Sequence, residues 1–285
     1  MIHRLHLWAA SIVIAAALVS PAHAAWRLAT TDAPVTVVRG ANVTSAAAGE
    51  TLRDGDLLES GEGVAHLQDE HGTLAALGPQ TRAMLTADAH VALLSGWLKI
   101  AAACATAPCP QVRAETESGA LDVGSNAAAI VAAPANTQTV SVFSETGAQT
   151  FAAQPPVSIA SGRFASIDSR GHVQLSARPT DAFLTNMPLA FRDALQPLAL
   201  AFAKPARVAP PSRAVTYDDI APWLDSKLPA RKTFPARFRS RLADRAFRHD
   251  VQAHLNTLPD WRALLYPPER HGVPDVRNVR NVRYP

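Results

Sequence analysis

Four arginines late in the chain, Arg237, Arg241, Arg245 and Arg248, recur at i, i+4, i+8 and i+11. On a single helix over residues 235–255 that spacing gathers them within about 80° of the circumference, at about 100° per residue. A row of planar guanidinium groups suits the phosphates or carboxylates of an anionic polymer or an acidic protein. The apolar residues of the same stretch complicate this. Phe234, Phe238 and Leu242 fall on one side, with Phe247, Val251, Leu255 and Leu258 nearly opposite. Such a helix either breaks near Asp244 or packs between two partners, and a break scatters the arginines. The plainer alternative is a solvated basic face partly neutralised by Asp244.

Other chemistry is sparse. Cys104 and Cys109 are the two cysteines of the chain and enclose Ala-Thr-Ala-Pro. In an oxidising compartment such a pair clips a turn, so a structural disulfide is expected, whereas the Cys-x-x-Cys spacing of redox pairs is absent. His66, Asp69, Glu70 and His71 are brought near one another if the turn at 69–72 closes a hairpin, and Asp54, Asp56, Glu59 and Glu62 offer carboxylates to calcium. A polar hairpin tip accounts for the first group, and neither a metal nor a cofactor is expected. Nucleophile-elbow, zincin and phosphate-loop patterns are missing from the sequence. A non-enzymatic protein is therefore expected, with a hydrolase of unfamiliar type as the least favoured alternative. Trp223 and Trp261, in a region poor in aromatics, are expected to anchor a core rather than to stack on sugars.

The elements that must position these residues differ between two halves. From residue 33 to about 177, short β-prone runs are separated by turn signals every ten or so residues, with no amphipathic helix between them. That pattern predicts an antiparallel sandwich or roll. All but one of the 14 glycines lie in this half. From residue 187 onward the punctuation is proline and arginine at helical spacing. A helix from Pro188 toward Leu198, kinked by Pro197, is expected to lead into a Pro-rich linker over 204–213. Helical stretches then follow over 216–228 and 235–258, with a last short helix to Tyr266 and a disordered tail. The division expected is a leader over 1–24, a β domain over 25–180, a helix and linker over 181–213, a basic helical module over 214–268, and a tail over 269–285.

Charge sharpens the division. Residues 25–180 hold nine Lys and Arg against fourteen Asp and Glu, and residues 181–285 hold seventeen against ten. The net +3 of the whole chain thus conceals halves of −5 and +7. Such asymmetry implies either an anionic partner for the basic end or two halves that face each other. At the N-terminus, Arg4 precedes an apolar run over 7–19 and then Pro21-Ala22-His23-Ala24, the layout of a cleavable secretory signal. Cleavage after Ala24 is expected, giving a periplasmic protein without a membrane span, since the run is shorter than the about 20 residues a span needs.

The glycine spacing carries a resemblance. Val37-Val38-Arg39-Gly40, the run Gly55-Asp56-Leu57-Leu58-Glu59-Ser60-Gly61-Glu62-Gly63, the hairpin over 64–77 with Gly78-Pro79-Gln80-Thr81, and Leu94-Ser95-Gly96-Trp97-Leu98 resemble the FecR-domain family. Val140-Ser141-Val142-Phe143-Ser144-Glu145-Thr146-Gly147 is similar to a later strand and turn of that family. Further points in Tyr217-Asp218-Asp219-Ile220, Trp223-Leu224, Arg237-Phe238, Phe247-Arg248 and Leu258-Pro259-Asp260-Trp261 resemble the C-terminal region of some secreted FecR-domain proteins. The resemblance implies a periplasmic all-β module that recognises another macromolecule, with Asp56 as a turn residue. The family's name-giving member relays a signal to a sigma factor through a cytoplasmic segment and a membrane helix. Here the domain follows directly on the leader, so that relay is not carried over. The expected role is binding, scaffolding or signalling for an envelope macromolecule, with a polysaccharide- or peptidoglycan-associated protein as the alternative. The partner expected is an envelope protein or an anionic glycan, not nucleic acid.

Overall fold

The computed structural model describes residues 26–87, 90–103, 111–198 and 211–267. The leader, the tail, and both Cys104 and Cys109 lie outside the described residues, and so does the disulfide expected between them. Sixteen strands come first along the described chain: β1 (Arg27–Thr31), β2 (Val35–Arg39), β3 (Asn42–Ala46), β4 (Leu57–Glu59), β5 (Ala65–Gln68), β6 (Thr73–Leu77), β7 (Arg82–Thr86), β8 (His90–Ala102), β9 (Val112–Thr116), β10 (Gly119–Val123), β11 (Ala127–Ala133), β12 (Val140–Thr146), β13 (Gln149–Phe151), β14 (Val157–Ile159), β15 (Phe164–Ile167) and β16 (Val173–Ser176). The molecule is mainly β, with antiparallel strands in two packed sheets and a small helical part at the C-terminal end, as the turn spacing predicts. The first sheet runs β1-β5-β6-β8-β11-β12-β15-β16. The second runs β3-β2-β4-β7-β8-β9-β10-β13-β14, parallel only between β8 and β9.

Strand β8 belongs to both sheets. Its first half pairs with β7 and its second half with β6 and β11. At the crossing, Arg82 pairs with Ser95 but Ala83 pairs with Leu93, so Leu94 is the extra residue of a bulge. The bulge reverses which side faces inward: Val91 and Leu93 lie in the shared core before it, and Leu98, Ile100 and Ala102 after it. Gly96 makes the bend possible. Its φ is +100°, and a Cβ there would come within 2.6 Å of the Thr81 Cα. The core between the sheets is built on Trp26, leucines, valines and many alanines, among them Ala65, Ala75, Ala129 and Ala165. Small side chains at alternate positions let the sheets approach closely, in keeping with an Ala-rich sequence.

Both outer faces of the sandwich are apolar, and the chain covers each with its own C-terminal half. On the first sheet, Ala76, Ile130, Ala132 and Phe164 are covered by Phe183 and Phe191. These two belong to a strap formed by helix α1 (Asp181–Asn186) and the 3-10 turn Leu189–Arg192. The helix expected from Pro188 through Leu198 is thus corrected. It is a single 3-10 turn that ends where Asp193 turns extended and the Phe191 and Asp193 carbonyls accept from Lys99, and the α-helix lies before Pro188, capped by Thr180. The second sheet's outer face, Val38, Val43, Leu57, Met84 and Ala92, is covered by the helical module. Strand β17 (Arg213–Ala214) joins the module to β3, and α2 (Tyr217–Leu224), α3 (Phe234–Arg237), α4 (Arg245–Ala253) and α5 (Arg262–Leu265) follow, linked by 3-10 turns. Trp223, Phe234, Phe238, Phe247 and Trp261 are buried there, so both tryptophans are core anchors.

Candidate functional site

The arginine stripe does not form. Residues 235–255 are three pieces: α3, the 3-10 turn Arg239–Ala243, and α4. The break falls at Asp244, in extended conformation, where its carboxylate accepts from the Phe247 amide at 3.0 Å as the N-cap of α4. A new cap in mid-stretch lets Phe238 and Phe247 both reach the same core, which one straight helix with opposed apolar faces could not do.

The arginines are redirected onto backbone carbonyls. Arg237 donates from Nη2 to Val38 O at 2.8 Å, from Nη1 to Gly55 O at 2.5 Å and from Nε to Gly40 O at 3.2 Å, all three in the sandwich. Its guanidinium lies 4.9 Å above the Phe238 ring and 5.8 Å from that of Phe234. Burial lowers its pKa, while the Asp56 carboxylate works in the opposite direction. Arg241 donates to Val215 O at 2.7 Å, lies over Phe247 and sits 3.5 Å from Asp244. Arg248 donates to Leu242 O at 2.7 Å, and Arg231 to Thr257 O at 2.8 Å. Arg245 is exposed. Of these acceptors only Leu242 O lies in a helical turn; the others belong to strand, turn or loop backbone, and a forked side chain with five N–H groups can reach several such carbonyls at once.

The run Gly55–Gly63 meets the module at Gly55 and Leu57. Gly55, at φ +85°, presents its carbonyl to Arg237. Asp56 next to it is buried; its carboxylate accepts from Arg39 Nε at 3.0 Å and Nη2 at 2.5 Å, and from the Arg53 amide at 2.9 Å. The hydrogen bonds that Arg39 donates to Asp56 raise the Arg39 pKa. Of the other carboxylates weighed for calcium, Glu59 pairs with Arg82 at 3.0 Å and Glu62 accepts from Gln80 at 3.0 Å. His66 is half-buried on β5, and that burial lowers its pKa, whereas His71 lies 3.7 Å from Glu70 at the hairpin tip. Asp69 is buried beside them, accepting from the amides of His71 and Thr73. Among the described residues no group of three or more His, Cys, Asp or Glu is placed to hold a metal ion.

One residue with a decisive role carries no motif. Lys99, on the second half of β8, points to the outer face of the first sheet and is 0% exposed. Its ammonium donates to Glu145 Oε1 at 2.7 Å, Phe191 O at 2.9 Å and Asp193 O at 2.8 Å, so all three N–H groups are used. The signal for it in the sequence is slight: the only lysine of the first two hundred residues, set between Leu98 and Ile100. At the seam between module and sandwich, the Lys227 amide donates to Glu117 Oε1 at 2.9 Å beside a polar pocket of 150 Å³ that also involves Ser118, Gln138, Ser169 and Asp225.

No family model matches the chain, and no curated protein matches it. Two crystal structures, each of a candidate anti-sigma factor from Parabacteroides distasonis, are similar to it in part. One is 13% identical, with a TM-score of 0.35 over 42% of this chain and 58% of that one. The other is also 13% identical, with a TM-score of 0.30 over 53% of this chain and 65% of that one. The similarity thus spans less than two thirds of either neighbour, and no activity passes from them to this chain.

Proposed function

We propose that the protein is a FecR-like, non-enzymatic module of the periplasm that binds, scaffolds or signals for another envelope macromolecule. One observation carries this reading. The run that resembles the FecR domain is spent internally, with Asp56 closed by Arg39 and Gly55 O capped by Arg237. Gly55 O joins the two halves of the chain while Asp56 closes within the sandwich, so a partner is left the exterior. The periplasmic placement rests on the leader-like residues 1–24 alone. A glycan as partner draws little support, because Trp223 and Trp261 are buried and offer no stacking platform. The test is chemical crosslinking in intact cells, followed by identification of what copurifies with the tagged chain. A specific envelope protein supports the reading. Its absence, together with turnover in a hydrolase panel, overturns it.

A further inference from the structure

Docking of the module leaves part of its positive charge unspent. The ion pairs of Arg39, Arg82, Lys99 and Arg113 close within the sandwich, and those of Arg213 and Arg241 within the module. Across the seam the attraction is apolar, through Trp223, Phe234 and Phe238 against Val38, Leu57 and Met84, with Arg237 on carbonyls. The side chains of Lys232, Arg239, Arg245 and Arg262 remain exposed with no hydrogen-bonding or ion partner among the described residues. Two of them, Lys232 and Arg239, stand over an open groove of 590 Å³ with a floor of Pro235, Ala236, Ala263 and Leu264. Asp260, from the turn before α5, is the one carboxylate in its lining.

We propose that this groove docks an acidic segment of a partner protein, with an apolar side chain seated on the floor and flanking carboxylates directed to Lys232 and Arg239. The inference rests on the binding-module reading and names the surface that reading lacks. Charge argues for this occupant. The chain's own segments outside the structure repel it: residues 199–210 carry Lys204 and Arg207 without a carboxylate, and residues 268–285 carry four arginines against Glu269 and Asp275. A glycan would find a floor of proline, alanine and leucine with no aromatic ring. Asp260 disfavours a long uniform polyanion and favours a short segment in one orientation.

The test uses the full mature chain and two fluorescent probes, a short peptide of glutamate and leucine and a heparin oligosaccharide of equal charge. The peptide is expected to bind, with affinity reduced about tenfold or more in K232E/R239E. R245E, on α4 outside the groove, is expected to keep the affinity within about twofold, because isolated exposed charges contribute little. Thermal melts confirm that all variants fold, since none of these side chains holds a structural contact. The proposal is overturned by any of four results: no peptide binding, an equal loss in R245E, heparin bound as tightly and lost in the same double variant, or self-association that the double variant abolishes, which would make a second copy the occupant. Envelope capture separates the two readings. A wild-type chain that captures nothing overturns the binding-module reading, whereas capture undiminished in K232E/R239E overturns the groove alone.

Discussion

The two outer faces of the sandwich meet the same need by opposite means. On the first sheet a buried lysine reaches outward from β8 to hold a short strap; on the second an arginine reaches inward from α3 to hold the sandwich. Lys99 is sealed with a carboxylate, Glu145, so its charge is compensated in place. Arg237 has only carbonyl dipoles and aromatic faces in direct contact, with Asp56 acting at longer range. The contrast follows from the cations. An ammonium is a compact point charge that must be neutralised when dry, whereas a planar, weakly hydrated guanidinium tolerates carbonyls alone if its fork matches them. It follows too from the covers: the strap contributes two buried phenylalanines and depends on its anchor, while the module brings an aromatic core of its own.

The largest effect is expected at the strap. Lys99→Ala strips a partly buried carboxylate and two carbonyls of their donor, and a loss of about 3 kcal/mol is expected from chemical denaturation. Faster amide exchange should be confined to residues 181–198. If Lys99→Met restores most of that stability, the pair serves position rather than energy, as buried pairs often do.

At the second face, Arg237→Ala is expected to cost about 2 to 3 kcal/mol, because three carbonyls lose a charged donor. Arg237→Lys should rescue little, since an ammonium cannot span carbonyls of Val38, Gly40 and Gly55 set for a fork. Full rescue by lysine would show that charge, not shape, holds the module, and would erase the contrast with Lys99.

A smaller, pH-dependent effect is expected at the module's entry. Asp219 accepts from Arg213 through both Nη atoms at 2.6 Å and from the Thr216 amide at 2.8 Å, the arginine being the main cause of a carboxyl pKa held at about 2. A depressed carboxyl pKa stabilises the fold above the unfolded value of 3.8 and loses that contribution as the pH falls toward 2. Asp219→Asn should cost about 1 kcal/mol near neutral pH, discounted for the exposure of Arg213, and the gap from wild type should close as the pH falls from about 4 to 2. Melts across that range decide it.

The smallest change is a gain. Tyr217 stacks on His254 at 4.9 Å with its hydroxyl buried and unpartnered, and burial chiefly pushes its pKa up to about 12. A raised phenol pKa gives stability below the ordinary value of 10 that is lost as the pH climbs toward 12. Tyr217→Phe should raise stability by about 1 kcal/mol at neutral pH and flatten that alkaline decline. A drop in Tm instead would reveal a partner for the hydroxyl.

By itself the sequence determined the β architecture, since turn glycines and alternating apolar residues are local signals: Gly40, Gly55 and Gly96 all stand at positive φ where the chain turns or bends. It also marked Trp223 and Trp261 as core, and the conflict of apolar faces around Asp244 warned that one helix would not hold. Only the tertiary structure decided what the arginines do. A periodicity of four looks the same whether guanidinium groups meet solvent, a polymer or carbonyls 199 residues away in sequence, such as Val38 O. The same holds for Lys99, whose partners Glu145, Phe191 and Asp193 are assembled from three separate segments. Hydrogen bonds to backbone carbonyls carry no residue identity, because every residue offers the same acceptor. A cation's destination is therefore settled by which carbonyls the packed fold leaves open, not by the letters around it.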